Sequence, residues 1–252
     1  MLISFFEEFP TAKNLSKLKL VRWPTGLYIA AASFQEFERI RMMLQNQKQV
    51  REVIYWPVLQ KHEGYWISPF SRQQALQRIF TELHGRKIPV ILDLELPTTK
   101  NPWLYLLEAR HFRSNKRLIQ NFINTYPGRI MVAEYYPERR WQENFMSIVG
   151  LHYPSAKASI IKMLYTSLHH FKRGFLQQEL QRGKQEYGAR FKIAVGTIAK
   201  GIGGQEPILS AAALRKDLEM MRQANVPEVI IYRLGGLNKS YAAVLQASSK
   251  SS

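Results

Sequence analysis

The chain has 252 residues, 46% of them hydrophobic, with 36 lysines and arginines against 19 acids, no cysteine and a net charge of +17. That length suits one large α/β domain or two small ones, and the apolar fraction excludes a disordered polymer. The missing cysteine excludes disulfides and thiolate metal sites, and no apolar run approaches the roughly 18 residues of a membrane span.

In chain order, LISFFEEF (2–9) reads as the first strand. Its apolar start lacks a basic flank and meets Glu7 and Glu8 at once, so it does not read as a signal peptide, and a cytoplasmic location is expected. GLYIAAAS (26–33) and EVIYWPVL (52–59) follow, with the amphipathic FQEFERIRMMLQ between them. RQQALQRIFTELHG comes next and closes on Gly85, a residue suited to a helix C-terminus. IPVILDLEL (88–96), RIMVAEYY (129–136), SIIKMLYT (159–166), FKIAVGTI (191–198) and EVIIYRLG (228–235) complete a set of eight. A further helix, AALRKDLEMMRQAN, precedes the last strand, and SIVGLHY (147–153) fits either an extra strand or a loop.

The strand starts lie 24 to 41 residues apart, the length that a strand, a helix and two loops consume. The strands are nearly continuous apolar runs, as expected where both faces of a parallel sheet are covered. Eight such units in about 250 residues predict a single (β/α)8 TIM barrel over residues 1–246, with 247–252 as a disordered tail. A doubly wound sheet is disfavoured because no glycine-rich turn follows the first strand.

In such a barrel the working residues sit at the C-terminal ends of the strands. Those ends carry Glu7 and Glu8, then Asp93 and Glu95, then Glu134 with Tyr135 and Tyr136, then Tyr165, and finally Tyr232 and Arg233. Asp93 and Glu95, two residues apart on one strand before Pro97, are expected to face the same side. Trp56, Tyr65, Trp66, Trp103 and Tyr136 are candidate stacking platforms for sugar rings.

Three of these places share a resemblance. Asp93-Leu-Glu95 resembles the Asp-x-Glu close of the fourth strand in family 18 glycoside hydrolases, the chitinase type. Lys162-Met163-Leu164-Tyr165 resembles that family's strand-6 Met-x-Tyr-Asp. Lys192-Ile-Ala-Val-Gly196-Thr-Ile-Ala-Lys-Gly201 is similar to its strand-7 motif, and the three occur in the family's order. The chain departs from the pattern at Ile91 and Thr166, where the family has aspartates, and at Ile198 and Lys200, where it has Pro and Tyr. The strand-8 tryptophan is not evident either. The resemblance therefore implies a barrel with a glycan-hydrolase site without naming chitin as the substrate.

That chemistry needs an acid to protonate the glycosidic oxygen and a second group to stabilise the oxocarbenium-like centre. Glu95 is the expected general acid, with Asp93 beside it raising its proton affinity by like-charge repulsion. The resemblance also gives Asp93 the task of orienting a substrate amide, and Tyr165 a hydrogen bond at the reacting sugar. Without such an amide, Glu134 or Glu8 is the better base or nucleophile. Glu8, Trp56, Trp66, Tyr136 and Arg233 are the expected substrate-binding residues.

Two other functions stay open. The loops AKGIGGQEP and RLGGLNKS follow strands 7 and 8, where barrels commonly bind phosphate through backbone N–H groups. That reading makes the protein an enzyme of sugar phosphates, with Lys162 as a reactive lysine provided it points inward. The third is a non-catalytic barrel whose basic surface binds an anionic polymer. Carbohydrate is the expected partner, and an anionic one matches the charge. Nucleic acid also matches the charge but has no motif behind it. No cofactor is expected. No metal is expected either, since no histidine spacing suits one and nothing singles out a carboxylate set from Glu7, Asp93, Glu95 and Glu134.

Overall fold

A computed structural model of the chain describes residues 1–98, 103–135, 140–153, 155–169, 171 and 173–250. Its strands are β1 (Leu2–Glu7), β2 (Thr25–Ala31), β3 (Val50–Pro57), β4 (Val90–Asp93), β5 (Ile130–Tyr135), β6 (Ser159–Met163), β7 (Phe191–Gly196) and β8 (Glu228–Tyr232). They close into a barrel in chain order, so the fold is a (β/α)8 barrel. Each strand ends one to three residues before the apolar run does, because the last residues leave the ladder for the following loop.

The helices among the described residues are α1 (Ala12–Leu15), α2 (Phe34–Leu44), α3 (Gln73–Leu83), α4 (Trp103–Ala109), α5 (Phe112–Thr125), α6 (Arg140–Ile148), α7 (Arg173–Tyr187), α8 (Ala211–Gln223) and α9 (Lys239–Lys250). The expected amphipathic segments became α2, α3 and α8, and Gly85 takes a φ of +72° just past α3. SIVGLHY divides between the end of α6 and the turn after it. α9 runs through Lys250, over most of the stretch expected to fray.

The chain divides into two compact units, Met1–Ala30 with Ile40–Ile54 and Ile160–Ser252, and Ala31–Arg39 with Tyr55–Ser159. In the first unit β8 pairs with both β7 and β1. Three strands there send side chains to one carboxylate on β8: Glu228 accepts from Ser4 Oγ (2.6 Å) and Tyr28 OH (3.1 Å) and pairs with Lys192 Nζ at 2.5 Å. Side chains from β1, β2, β7 and β8 can meet like this only inside the barrel, which sets the inward face of each strand. Since Ile161 is the register partner of Lys192, Ile161, Met163 and Tyr165 share that inward face and Lys162 turns outward.

In the second unit Tyr55 stacks on Phe37 of α2, with centroids 4.8 Å apart, so Tyr55 faces the helix layer and Trp56 faces inward. Tyr55 pairs in register with Val90, which leaves Ile91 and Asp93 inward, opposite Met131 and Ala133 of β5. The same alternation turns Tyr135 inward and Glu134 outward. Apolar packing of α3 on α5, with Phe80 stacked on Phe122 at 4.3 Å, covers the outer side.

Candidate active site

β4 ends at Asp93, so the expected pair of acids on one strand is corrected: only Asp93 lies on the strand. The ladder carries one step further through Leu94 N–H, which donates to Ala133 O at 3.0 Å, and Glu95 follows where the chain leaves the sheet. Asp93 is buried and Glu95 half-buried. Tyr135, one inward position beyond Ala133, donates its hydroxyl to Glu95 Oε2 at 2.8 Å. Burial, then the charge of Glu95 and its hydrogen bond, and last the charge of Asp93, push the Tyr135 phenol well above its ordinary range, so it stays a donor. The result is a cluster of two carboxylates and one phenol at the ends of β4 and β5.

Trp56 and Trp66 of the same unit stack nearly parallel, 7° apart with centroids at 5.8 Å. They are only 1% and 6% exposed, and Trp66 donates its indole N–H to Thr98 Oγ1 at 2.8 Å. Each ring's partner is thus another ring, and neither offers a bare face. The loop holding Trp66 is tied to β4 by Ile67 N–H, which donates to Asp93 O at 3.1 Å. Glu134 does not join Asp93 and Glu95. It is fully buried on the outward face and pairs with His152 Nδ1 at 2.9 Å. Trp103 is exposed on α4. Tyr136 lies outside the described residues.

The first unit holds a second cluster. Glu8 is buried and accepts a hydrogen bond from Tyr232 OH, while the Tyr165 ring lies 5.9 Å from that of Tyr232. Burial, followed by the charge and hydrogen bond of Glu8, raises the Tyr232 phenol well above its ordinary range. The loop after β7 comes so close that a Cβ on Gly201 would meet Glu8 Oε2 at 3.0 Å. Glu7, the neighbour of Glu8, faces outward, where it accepts from Arg233 Nη1 (3.0 Å), Gly235 N–H (2.6 Å), Phe9 N–H (2.9 Å) and Asn14 Nδ2 (3.1 Å). Burial raises the Glu7 carboxyl, and Arg233, the two N–H groups and Asn14 pull against it. Arg233 also donates Nε–H to Lys200 O and lies over the Phe9 ring, so it acts as a clamp between loops.

The same loops decide the phosphate reading. Gly201 and Gly203 N–H both donate to the Glu206 carboxylate, at 3.1 Å each, and Gly235 N–H donates to Glu7. Three of the backbone donors in these loops are thus bonded to carboxylates of the chain. Lys162, which that reading needed inside the barrel, faces outward. Among the described residues, no three His, Asp or Glu side chains come together as a metal ion would require, and no helix is long and apolar enough to cross a membrane.

Tyr135 is the member of the cluster that sequence reasoning passed over in favour of its neighbours Glu134 and Tyr136. The signal was present in the alternation of β5, since Met131, Ala133 and Tyr135 share a face, but which face is inward depends on the register with β4.

The fold is thus a (β/α)8 barrel with acids at the C-terminal ends of its strands. No family model matches the chain, and no match among curated proteins was found. The structure is similar to a chitinase from Chromobacterium violaceum, with 8% identity over 100% of this chain and 99% of that one and a TM-score of 0.58. It is also similar to the PgaB (BpsB) glycoside hydrolase domain from Bordetella bronchiseptica, with 10% identity over 98% and 97% of the two chains and a TM-score of 0.56. The spore cortex-lytic enzyme SleL of Bacillus megaterium matches at 10% identity over 99% and 74%, with a TM-score of 0.51. The resemblance to chitinase-type barrels is thus a likeness of fold.

Proposed function

We propose that the chain is a carbohydrate-active barrel that hydrolyses glycosidic bonds, with Glu95 as general acid and Asp93 as the carboxylate beside it. The observation that carries this reading is the cluster itself, in which the Tyr135 hydroxyl meets Glu95 while Asp93 lies on the inward face of β4. Glu95 delivers its proton to the glycosidic oxygen, the bond from that oxygen to the anomeric carbon breaks, and the electron pair leaves with the oxygen. Asp93 stabilises the positive charge left on the sugar, either directly or by orienting a substrate amide against the anomeric carbon. Water then adds to that carbon and returns a proton to Glu95. Tyr135, held as a donor by its raised pKa, keeps the Glu95 carboxyl in one orientation.

Likeness in fold to a chitinase and to a glycoside hydrolase domain supports carbohydrate as the substrate class. A phosphorylated substrate loses support, because Glu206 and Glu7 occupy three glycine N–H groups of the loops after β7 and β8. Glu134 serves the reading less well than Asp93, since it faces the helix layer and pairs with His152. Residues 1–246 act in this reading as one barrel domain.

The test is reducing-end release from a panel of polysaccharides and oligosaccharides by the full chain and by Glu95→Gln. Glu95→Gln should abolish release and leave the melting temperature nearly unchanged, because the half-exposed carboxyl carries little of the fold. Full activity in that variant would remove Glu95 from the mechanism.

A further inference from the structure

We propose that the corner formed by α4 and the start of α5 docks the protein on an anionic lipid surface. α4 is amphipathic the wrong way round for a helix of a globular protein. Its exposed stripe is Trp103, Leu106 and Leu107, which are 63%, 65% and 57% exposed, at the i, i+3, i+4 spacing of one helix face. The next position of that stripe, i+7, is Arg110, also exposed. Its buried side carries Leu104 and the carboxylate Glu108, whose Oε2 accepts the Gln73 N–H at 3.2 Å. Leu96, on the loop after β4, is also 45% exposed.

Charge selects the occupant. Between Trp103 and Arg117 the only acid is Glu108, turned into the protein, while Arg110, Arg113 and Arg117 are exposed. A tryptophan and two leucines followed closely in the chain by three exposed arginines match the composition of helices that lie in the headgroup region of acidic bilayers. Each arginine near such a surface adds to the attraction, in keeping with a chain of net charge +17. A second copy of the chain is a poorer occupant, since pairing two such faces would set arginines against arginines. A glycan is poorer too, because leucines give a sugar neither a flat ring nor a hydrogen bond. The loop carrying Glu95 is tied to α4 by Tyr105, whose hydroxyl donates to Pro97 O at 2.9 Å, so docking would bring that loop towards the bilayer.

The test is co-sedimentation of the full chain with phosphatidylcholine vesicles and with vesicles containing one-third phosphatidylglycerol. The expected result is binding to the second kind alone, weakening with salt, with tryptophan emission moving to shorter wavelength. Trp103→Ser/Leu106→Ser/Leu107→Ser and Arg110→Gln/Arg113→Gln/Arg117→Gln should each lower partitioning at least tenfold and keep the wild-type melting curve, since all six side chains are exposed. No binding to either vesicle overturns the proposal. Binding that survives the Trp/Leu substitutions overturns it as well and leaves only general adsorption of a basic protein. A concentration-dependent dimer lost in the Trp/Leu variant, without vesicle binding, assigns the surface to a second copy instead.

Discussion

Glu7→Ala should be the most damaging single substitution among the acids at the strand ends, although Glu7 takes no part in the proposed chemistry. The carboxylate is buried and accepts from the Arg233 guanidinium, two backbone N–H groups and the Asn14 amide. Removing one partner of a buried ion pair costs about 3–5 kcal/mol, because the remaining charge stays desolvated. Each buried N–H left without an acceptor adds about 1–3 kcal/mol where water cannot replace the lost oxygen. Arg233 keeps its bond to Lys200 O, and water entering the space left by the side chain would take up the freed N–H groups, so the total stays within the ion-pair range, about 4 kcal/mol. For a chain of this size each kcal/mol moves the melting temperature by about 2–4 °C, which predicts a fall of about 8–16 °C. Circular dichroism melts of wild type, Glu7→Ala, Arg233→Met and the double variant measure it. The double variant should recover part of the loss, because no charge is then left buried without its partner. A Glu7→Ala protein melting within about 2 °C of wild type would refute the clamp and return Arg233 to the pool of substrate-binding residues.

Tyr135→Phe should lower kcat/KM for the proposed glycan hydrolysis about 3- to 10-fold with little change in melting temperature, since it removes one half-exposed hydrogen bond worth about 0.5–1.5 kcal/mol; unchanged kinetics would separate Tyr135 from Glu95. Lys192→Met should destabilise by about 3 kcal/mol in urea unfolding, because the Glu228 carboxylate then stays inside the barrel without the cation it pairs with, and an unchanged midpoint would refute the buried pair. Burial raises the Asp217 carboxyl, with the Thr166 hydroxyl opposing it, so the folded state holds this proton at a higher pH than the unfolded chain does. That contribution is present in acid and lost as pH rises through the folded-state value. Asp217→Asn should therefore melt higher than wild type near neutrality and lose its advantage in acid; an advantage independent of pH would show that desolvation of this carboxylate is not its source.

Much of the architecture was legible in the chain. A strand buried on both faces must be apolar throughout, so the eight β-rich runs stood out one by one, and their spacing left room for one helix each. The amphipathic pattern of α3 and its closing Gly85 are local features and needed no tertiary contact to be read. The ends of the strands were less legible, because a ladder stops where the neighbouring strand stops, and this is why Glu95 falls outside β4. The inverted stripe of α4 was illegible for the same kind of reason. Its Trp103, Leu106 and Leu107 have the composition of a core helix, and only the packing shows Leu104 and Glu108 turned inward instead.

Asp93 and Glu95 were conspicuous from the start as acids closing an apolar run before Pro97, and that much depends on chain order alone. What each acid at the strand ends does depended on register. In a strand every second residue changes face, so a shift of one position exchanges the barrel interior for the helix layer. That rule sent Glu134 to His152 and Glu7 to Arg233, on the outer side, and turned Tyr135 and Tyr165 inward. Chain order and hydrophobic spacing were enough to read a barrel with acids at its strand ends. Which of those acids pair on the outer side and which face the barrel interior came from tertiary contacts, because each strand's inward face is set by residues far away in the chain.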